Sequence, residues 1–96
     1  MNEVECPELA EGQHATYILL CADKSYYVGS TGCIEQRLQD HINGKASAWT
    51  KKRNPVHLVY FEIYQSQLEA MQREKQLKGW TRIKKERLIN GEWTKK

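Results

Sequence analysis

The sequence predicts a single α/β domain, and three observations carry that prediction. A β-prone stretch at about residues 14–21 is followed, after a polar turn, by a second one at 26–30. A run at 56–64 is apolar on both faces, which is typical of the central strand of a sheet. Three other segments have helical spacing and recognisable ends. With 96 residues, the chain is long enough for one domain with one modest core.

The first two strands are predicted to form a hairpin with a tyrosine on each arm. Residues 16–21 read Thr-Tyr-Ile-Leu-Leu-Cys, residues 26–30 read Tyr-Tyr-Val-Gly-Ser, and the four residues between them are polar. Tyr17 and Tyr27 therefore lie on neighbouring strands. Residues 1–13 contain four acidic residues and no Lys or Arg, and they are predicted to be a flexible acidic tail.

A first helix is predicted from about residue 33 to Asn43, where Asn43-Gly44 is a helix-ending signal. Its apolar stripe consists of Ile34, Leu38 and Ile42. Arg37 and His41 lie one turn apart along one edge of that stripe, so both are predicted to emerge where the helix meets the sheet. Residues 45–54 are predicted to form a basic loop with one aromatic residue, Trp49.

A second helix is predicted to begin at the capping box of Ser66 and Glu69 and to extend to about Lys78. Its predicted apolar face comprises Leu68, Ala70, Met71 and Leu77. Glu74 falls in the middle of that face, where a carboxylate is costly unless an ion pair or a metal ion compensates its charge. A basic third helix is predicted at 82–89 with Thr81 as its N-cap, followed by a C-terminal tail at 91–96.

The charge distribution favours a polyanionic partner. The formal net charge is +3, but all 15 basic residues and only eight of the 12 acidic ones follow residue 13, which gives residues 14–96 a net charge of +7. A solvated basic surface would explain the same excess. No apolar run reaches the roughly 20 residues that span a bilayer, so no membrane partner is expected. The N-terminus lacks the pattern of a signal peptide, and the expected location is cytoplasmic.

Five side chains together suit the hydrolysis of a phosphodiester. They are Tyr17, Tyr27, Arg37, His41 and Glu74. An arginine fork binds two phosphate oxygens at once, and a lone carboxylate suits a hard divalent cation that keeps several waters. A tyrosine hydroxyl can orient or deprotonate a water molecule. Each residue also has a purely structural explanation: sheet aromatics for the tyrosines, a solvated helix edge for Arg37 and His41, and an internal salt bridge for Glu74.

An ordered series of short motifs resembles the GIY-YIG nuclease family over residues 14–90. The series comprises Ala15-Thr16-Tyr17, Tyr27-Val28-Gly29, Gly29-Ser30-Thr31, Arg37-Leu38-x-x-His41, Ala46-Ser47-Ala48-Trp49-Thr50, Pro55-Val56-His57-Leu58-Val59-Tyr60 and Glu69-Ala70-x-x-x-Glu74-Lys75-Gln76-Leu77-Lys78. The first motif lacks the family's Gly and Ile, which are replaced by Ala15 and Thr16. The chain is most similar to small stand-alone members, and it also resembles the nuclease domain of structure-selective endonucleases.

The resemblance implies a three-stranded antiparallel sheet flanked by helices and a nuclease domain at 14–90. It also implies DNA cleavage with one Mg²⁺ or Mn²⁺ ion and no small-molecule cofactor. Position by position, Tyr27 matches the residue that takes the proton of the attacking water, and Tyr17 matches the one that positions that water. Arg37 matches the phosphate contact, His41 an aid to proton transfer, and Glu74 the metal ligand. An asparagine often follows that glutamate in the family; Asn90 is the candidate here, although ending a helix explains it equally well.

Nucleic-acid contacts are expected from the basic loop and from the basic residues of the last two helices. The candidates are Lys45, Trp49, Lys51, Lys52, Arg53, Lys78, Arg82, Lys84 and Lys85. Such residues hold the DNA backbone and do not read bases, so cleavage is expected to depend on DNA structure more than on sequence. The alternative is a nucleic-acid-binding module with little hydrolysis that acts with a partner protein. A homodimer would allow both strands to be cut.

Overall fold

The computed structural model describes residues 13–91, so the predicted tails lie outside the described part except for Gln13 and Gly91. Its elements, in chain order, are β1 (His14–Leu20), β2 (Tyr26–Thr31), α1 (Ile34–Ile42), α2 (Ala48–Lys51), β3 (His57–Tyr64), α3 (Gln67–Lys78) and α4 (Arg82–Ile89). The predicted architecture, a three-stranded antiparallel sheet flanked by helices, is confirmed, and it makes the domain an α+β fold. No helix within residues 13–91 has the length and apolar content needed to cross a membrane.

The strand order is β2-β1-β3, so the prediction that β3 lies at the centre of the sheet is wrong. The central strand is β1, which is buried from Ala15 to Leu19. Its polar Thr16 is fully buried because the Thr16 hydroxyl donates a hydrogen bond to the carbonyl of Ala70 on α3. In β3, by contrast, Phe61 is 44% and Ile63 40% exposed. The apolar residues on both faces of β3 therefore do not all face the core.

The core lies on both faces of the sheet. On one face, Tyr17, Leu19, Cys21 and Val56 form a buried cluster against which Leu38 of α1 packs. On the other face, the cluster consists of Ile18, Val28, Leu77 and Leu88, which brings α3 and α4 against the sheet. Both open edges of the sheet, the outer edges of β2 and β3, remain unpaired within residues 13–91.

The predicted first helix is confirmed, but its predicted stripe is wrong at one end. Ile42 is 48% exposed, and His41 is buried in its place. The predicted loop at 45–54 contains the short helix α2. The Ser47 side chain caps α2 by accepting hydrogen bonds from the backbone N–H groups of Trp49 and Thr50.

The second and third predicted helices are confirmed with their N-caps. The side chains of Ser66 and Thr81 accept backbone hydrogen bonds from Glu69 and Lys84, respectively. The predicted apolar face of α3 is wrong in part, because Leu68 and Met71 are exposed. The face that packs on the sheet carries Ala70 and Leu77, which are buried, with Glu74 between them. Glu74 therefore lies at the boundary of the core instead of inside it.

Candidate active site

The Tyr17 side chain crosses the neighbouring strand at Gly29. Tyr17 and Gly29 are paired residues of β1 and β2. A Cβ atom added at Gly29 would lie 2.5 Å from the Tyr17 hydroxyl oxygen and 2.7 Å from the ring carbon that bears it. Only a residue without a side chain leaves room for this ring. Gly29 thus lets a tyrosine that starts on the central strand extend across β2.

Three buried residues then form a chain of hydrogen bonds. The Tyr17 hydroxyl lies 2.9 Å from His41 Nε2, and His41 Nδ1 lies 2.8 Å from the Thr50 hydroxyl. The Thr50 hydroxyl donates its one proton to the carbonyl of Ser47, at 3.2 Å, because a carbonyl can only accept. Its oxygen therefore accepts from His41 Nδ1–H. In the neutral imidazole, Nε2 is then the acceptor, and Tyr17 donates to it.

Tyr27 packs beside this chain without joining it. Its ring centroid lies 5.0 Å from that of His41, 6.5 Å from that of Tyr17 and 5.8 Å from that of Trp49. Within residues 13–91 its hydroxyl has no hydrogen-bond partner. The two motif tyrosines are therefore in different states: one is fixed by a histidine, and the other keeps its hydroxyl available.

Burial and charge keep the Tyr17–His41 pair neutral at neutral pH. Burial raises the pKa of Tyr17 well above its ordinary value; the neighbouring Tyr27 and Glu74 add to this, whereas Arg37 opposes it. Burial lowers the pKa of His41, and the positive charge of Arg37 lowers it further. Tyr17 thus keeps its proton, and His41 keeps an unprotonated Nε2. Arg37 thus acts electrostatically on both members of the pair, and Glu74 acts on Tyr17.

Arg37 lies on the same side of the sheet as Tyr17. It contributes, with Tyr17 and Leu38, to the lining of a small crevice between α1 and the sheet. It is half-buried and makes no ion pair within the described residues. The Arg37 guanidinium is therefore free to bind an anion at this position.

Glu74 reaches the same edge of the sheet from the opposite face. Its Oε1 accepts a hydrogen bond of 2.8 Å from the hydroxyl of Ser30, the β2 residue that follows Gly29. Its Oε2 lies 2.8 Å from Lys78 Nζ, and the Glu74 side chain is 21% exposed. The ion pair that is the structural explanation for Glu74 is therefore present, and its partner Lys78 is 54% exposed.

The surroundings of Glu74 fit a divalent cation that keeps most of its own waters. Within residues 13–91 no three His, Cys, Asp or Glu side chains converge to form a complete protein metal centre. Glu74 offers one half-buried carboxylate beside the Ser30 hydroxyl, and both are oxygen donors. Mg²⁺ and Mn²⁺ bind to such sites through one carboxylate, with water and phosphate oxygens supplying the remaining ligands.

The predicted nucleic-acid contacts divide into free and engaged side chains. Lys45, Lys51 and Lys52 are exposed and make no ion pair within the described residues. Arg53 pairs with Asp23, and its guanidinium lies 4.0 Å from the centroid of the Trp49 ring. The other engaged residues are Lys78, paired with Glu74; Arg82, paired with Glu86; and Lys84, whose ammonium lies over the Trp80 ring. Lys85 is half-buried and without an ion pair in residues 13–91.

Asn90 has the position of a helix end. It is the C-cap of α4, and its backbone N–H donates to the carbonyl of Glu86. The next residue, Gly91, has a positive φ of 79°, as the glycine after a helix commonly does. The Asn90 side chain is exposed and has no hydrogen bond to a described residue. This geometry favours the helix-ending explanation for Asn90 over a place in the site.

Sequence reasoning missed Thr50 and Ser30 as members of the site. Thr50 is fully buried and fixes the His41 ring, and Ser30 holds one oxygen of Glu74. Both residues lie inside or beside the quoted motifs, at the end of Ala46–Thr50 and directly after Tyr27-Val28-Gly29. The available signal for Thr50 was the N-cap pattern at Ser47, which predicts a short helix with a defined inner face.

Comparisons with known proteins agree with this architecture. The model of the GIY-YIG catalytic domain matches residues 13–87. A UPF0213 protein of Staphylococcus aureus is 45% identical over 76 residues, which cover 79% of this chain and 93% of that protein. The solution NMR structure of the UPF0213 protein BH0048 from Bacillus halodurans is similar with a TM-score of 0.53 and 38% identity, covering 81% of this chain and 83% of that one. The solution NMR structure of protein EF2693 from E. faecalis is similar with a TM-score of 0.58 and 32% identity, covering 84% of this chain and 86% of that one. The chain therefore belongs to the GIY-YIG family of nucleases.

Proposed function

We propose that this chain is a divalent-metal-dependent endonuclease that hydrolyses DNA phosphodiester bonds. The observation that carries the proposal is the convergence at the open edge of β2. A buried hydrogen-bond chain of Tyr17, His41 and Thr50 and a free arginine, Arg37, lie on one side, and a half-buried carboxylate lies on the other. Phosphodiester hydrolysis needs these three elements: a route for the proton of water, a cation for the phosphate and a site for a metal ion.

Tyr17 and His41 supply the route for the proton. As the oxygen of water attacks phosphorus, the water gives one proton to the Tyr17 hydroxyl oxygen. Tyr17 passes its own proton to His41 Nε2, which lies 2.9 Å away. The bond from phosphorus to the leaving oxygen breaks, and solvent protonates that oxygen. Tyr17 needs no phenolate for this relay, which agrees with its raised pKa.

Arg37 connects substrate binding to the strength of this base. In the free protein, the positive charge of Arg37 lowers the pKa of His41. A DNA phosphate bound by the Arg37 guanidinium would neutralise that charge. The proton affinity of His41 Nε2 would then rise when the substrate binds, so His41 would be a stronger base in the DNA complex than in the free protein.

Tyr27 is assigned to the phosphate or to the attacking water. Its hydroxyl is without a partner in residues 13–91, whereas the Tyr17 hydroxyl is occupied by His41. These assignments exchange the roles that the family resemblance implies for the two tyrosines. The reason is that only Tyr17 has an acceptor at hydrogen-bond distance to take its proton.

Glu74 is the proposed holder of the Mg²⁺ or Mn²⁺ ion, with Ser30 fixing the orientation of the carboxylate through its 2.8 Å hydrogen bond. When bound, such an ion would polarise the phosphate and stabilise charge on the leaving oxygen. Lys78 pairs with the other carboxylate oxygen and compensates the charge of Glu74 in the metal-free protein.

The proposed recognition of DNA is through its backbone and structure. The free lysines in and near α2 and the basic helix α4 provide cations for phosphate contacts, which hold the DNA without reading its sequence. One chain holds one candidate site and would cut one strand at a time. A cut through both strands would need two successive events or a second copy of the chain.

The proposal is tested by incubating the protein with flapped, branched and linear DNA in Mg²⁺, in Mn²⁺ and in excess chelator. We expect cleavage with either metal and none with chelator, and fastest cleavage of the substrates that contain a junction. Binding to DNA without cleavage under every condition would contradict the proposal and would support a nucleic-acid-binding module instead. An RNA copy of the best substrate shows whether cleavage requires DNA.

A further inference from the structure

A groove runs along the open edge of β2, beside the candidate active site. It has a volume of about 370 Å³ and is lined by Tyr26, Tyr27, Val28, Trp49, Lys78 and Lys85. We refer to it as the edge groove. Two of its residues connect it to the site: Tyr27 packs on His41, and Lys78 pairs with Glu74. A ligand in the edge groove would therefore lie next to a phosphate held at the site.

Aromatic rings form one wall of the edge groove. The rings of Tyr27 and Trp49 lie 5.8 Å apart with an angle of 32° between their planes, and Trp49 is 38% exposed. The Arg53 guanidinium lies over the indole at 4.0 Å, and the Asp23 carboxylate holds Arg53 in turn. Arg53 therefore covers one face of the indole and holds the ring in place, and a ligand would contact the part of Trp49 that remains exposed.

Lys85 supplies an uncompensated positive charge in the same groove. It is half-buried and has no ion pair among the described residues. Burial lowers the pKa of its ammonium group, and the neighbouring Arg82 guanidinium lowers it further. Partial burial and a neighbouring cation both disfavour the charged form of Lys85. A bound anion would relieve both effects.

We propose that the edge groove binds one unpaired nucleotide, with its base stacked on the Tyr27 and Trp49 rings and its phosphate on Lys85. The inference rests on the proposed nuclease function and defines its substrate class: DNA with a single-stranded segment adjoining the cleaved phosphodiester. A base inside a duplex has both faces covered by its neighbours and cannot stack on protein rings. The volume of the groove, about 370 Å³, is sufficient for one nucleotide.

Binding in excess chelator tests the edge groove without any cleavage. The probes are a fluorescent oligothymidylate of about ten nucleotides and a hairpin duplex of similar length, and the readout is anisotropy. We expect Trp49→Ala and Lys85→Gln each to weaken binding of the single strand at least about fivefold, and binding of the duplex by less than about twofold. Trp49→Phe keeps a stacking surface and should retain most of the affinity. Lys75→Gln removes an exposed lysine of α3 outside the groove and should change neither affinity.

The result separates this inference from the nuclease proposal. Equal losses for single strand and duplex, or no loss in either variant, would overturn the edge groove even if the protein cleaves DNA. Selective loss of single-strand binding would support the groove even if no cleavage is found. Thermal unfolding of each variant identifies any folding defect. If Trp49→Ala is poorly folded, the binding results for Lys85→Gln, a change at a half-buried position, test the edge groove alone.

Discussion

At the scale of single residues, Thr50 determines what His41 can do. His41 is almost fully buried, and each of its ring nitrogens has one partner. Because the Thr50 proton goes to the Ser47 carbonyl, the histidine must place its proton on Nδ1 and keep Nε2 free. Thr50 is thus a positioning residue: it touches no substrate and acts through the tautomer of His41.

Thr50→Val should therefore impair the relay while preserving the volume of the side chain. We expect cleavage to fall about tenfold to a hundredfold, because His41 Nδ1–H loses its acceptor and Nε2 is no longer held free. Nitrogen NMR of the imidazole should show a mixture of tautomers in the variant and a single tautomer in the wild type. Thr50→Ser keeps the hydroxyl and should behave like the wild type; identical tautomer populations in Thr50→Val would refute the assignment.

Gly29→Ala tests the path of Tyr17 across β2. The added methyl group would lie 2.5 Å from the Tyr17 hydroxyl oxygen, so the ring must move and the hydrogen bond to His41 must break. We expect the free energy of unfolding to fall by about 1–3 kcal/mol. The rate of cleavage should fall at least about a hundredfold. Gly79→Ala is the matched control, since a Cβ there meets only the Gln76 carbonyl at 3.5 Å. Equal, small effects of both changes would contradict the packing described for Tyr17.

At the scale of elements, a cluster around Glu62 fastens α3 to β3. Arg73 on α3 donates two hydrogen bonds to the Glu62 carboxylate, at 2.8 and 3.1 Å, and the hydroxyls of Tyr60 and Tyr64 donate two more. Burial alone would raise the pKa of Glu62, but these donors hold it below its ordinary value. Because α3 also carries Glu74, this cluster helps to set the position of the candidate metal ligand.

Arg73→Leu should destabilise the protein by about 2 kcal/mol at neutral pH, because it leaves a half-buried carboxylate without its cation. The folded pKa of Glu62 is lowered, so its stabilisation is complete above the ordinary value of 4.5 and is lost as pH falls through the folded value. The difference between variant and wild type in urea unfolding should therefore shrink below about pH 4.5. Glu86→Gln, which breaks the exposed Arg82–Glu86 pair, should cost less than about 0.5 kcal/mol. A difference that stays constant with pH would contradict the role given to Glu62.

The helices and the hairpin could be predicted from the sequence, whereas the order of the strands could not. Local signals predicted the hairpin, α1, α3, α4 and their caps, because hydrophobic spacing and N-cap residues act within a few positions. The position of β3 at the sheet edge depends on pairing between distant strands, and the buried Thr16 of β1 concealed the true centre. Spacing identified Glu74 as anomalous and placed His41 next to the sheet. It could not show that Thr50, nine residues later, fixes the ring of His41.

At the scale of the whole molecule, the excess of positive charge determines how the protein would meet DNA. Several cations near the open edge of β2 and around α2 are free of ion pairs within residues 13–91, whereas Arg53 and Arg82 are held by carboxylates. The free ones include Arg37, Lys45, Lys51, Lys52 and Lys85. Contacts between such cations and phosphates release counterions from DNA, so they make affinity depend on salt.

Affinity for DNA should therefore fall steeply as the salt concentration rises. Four or five phosphate contacts predict a slope of about −3 or steeper in a plot of log affinity against log salt concentration. Anisotropy titrations of the same oligonucleotide between about 50 and 200 mM salt measure this slope. Replacing Lys51 and Lys52 together with glutamine should make the slope shallower by one to two units. A flat response in the wild type would show that the basic surface is not where DNA binds.

The central claim is that Glu74 and the Tyr17–His41 pair form one hydrolytic site across the edge of β2. Single-turnover cleavage of a flapped DNA by Glu74→Ala, compared with wild type at saturating Mg²⁺, tests it most directly. Glu35→Ala, which removes an exposed carboxylate of α1, is the control for loss of charge. We predict that Glu74→Ala lowers the rate at least about a thousandfold, with DNA binding and the unfolding temperature nearly unchanged, and that Glu35→Ala cleaves like the wild type. Equal rates for Glu74→Ala and wild type would contradict the account.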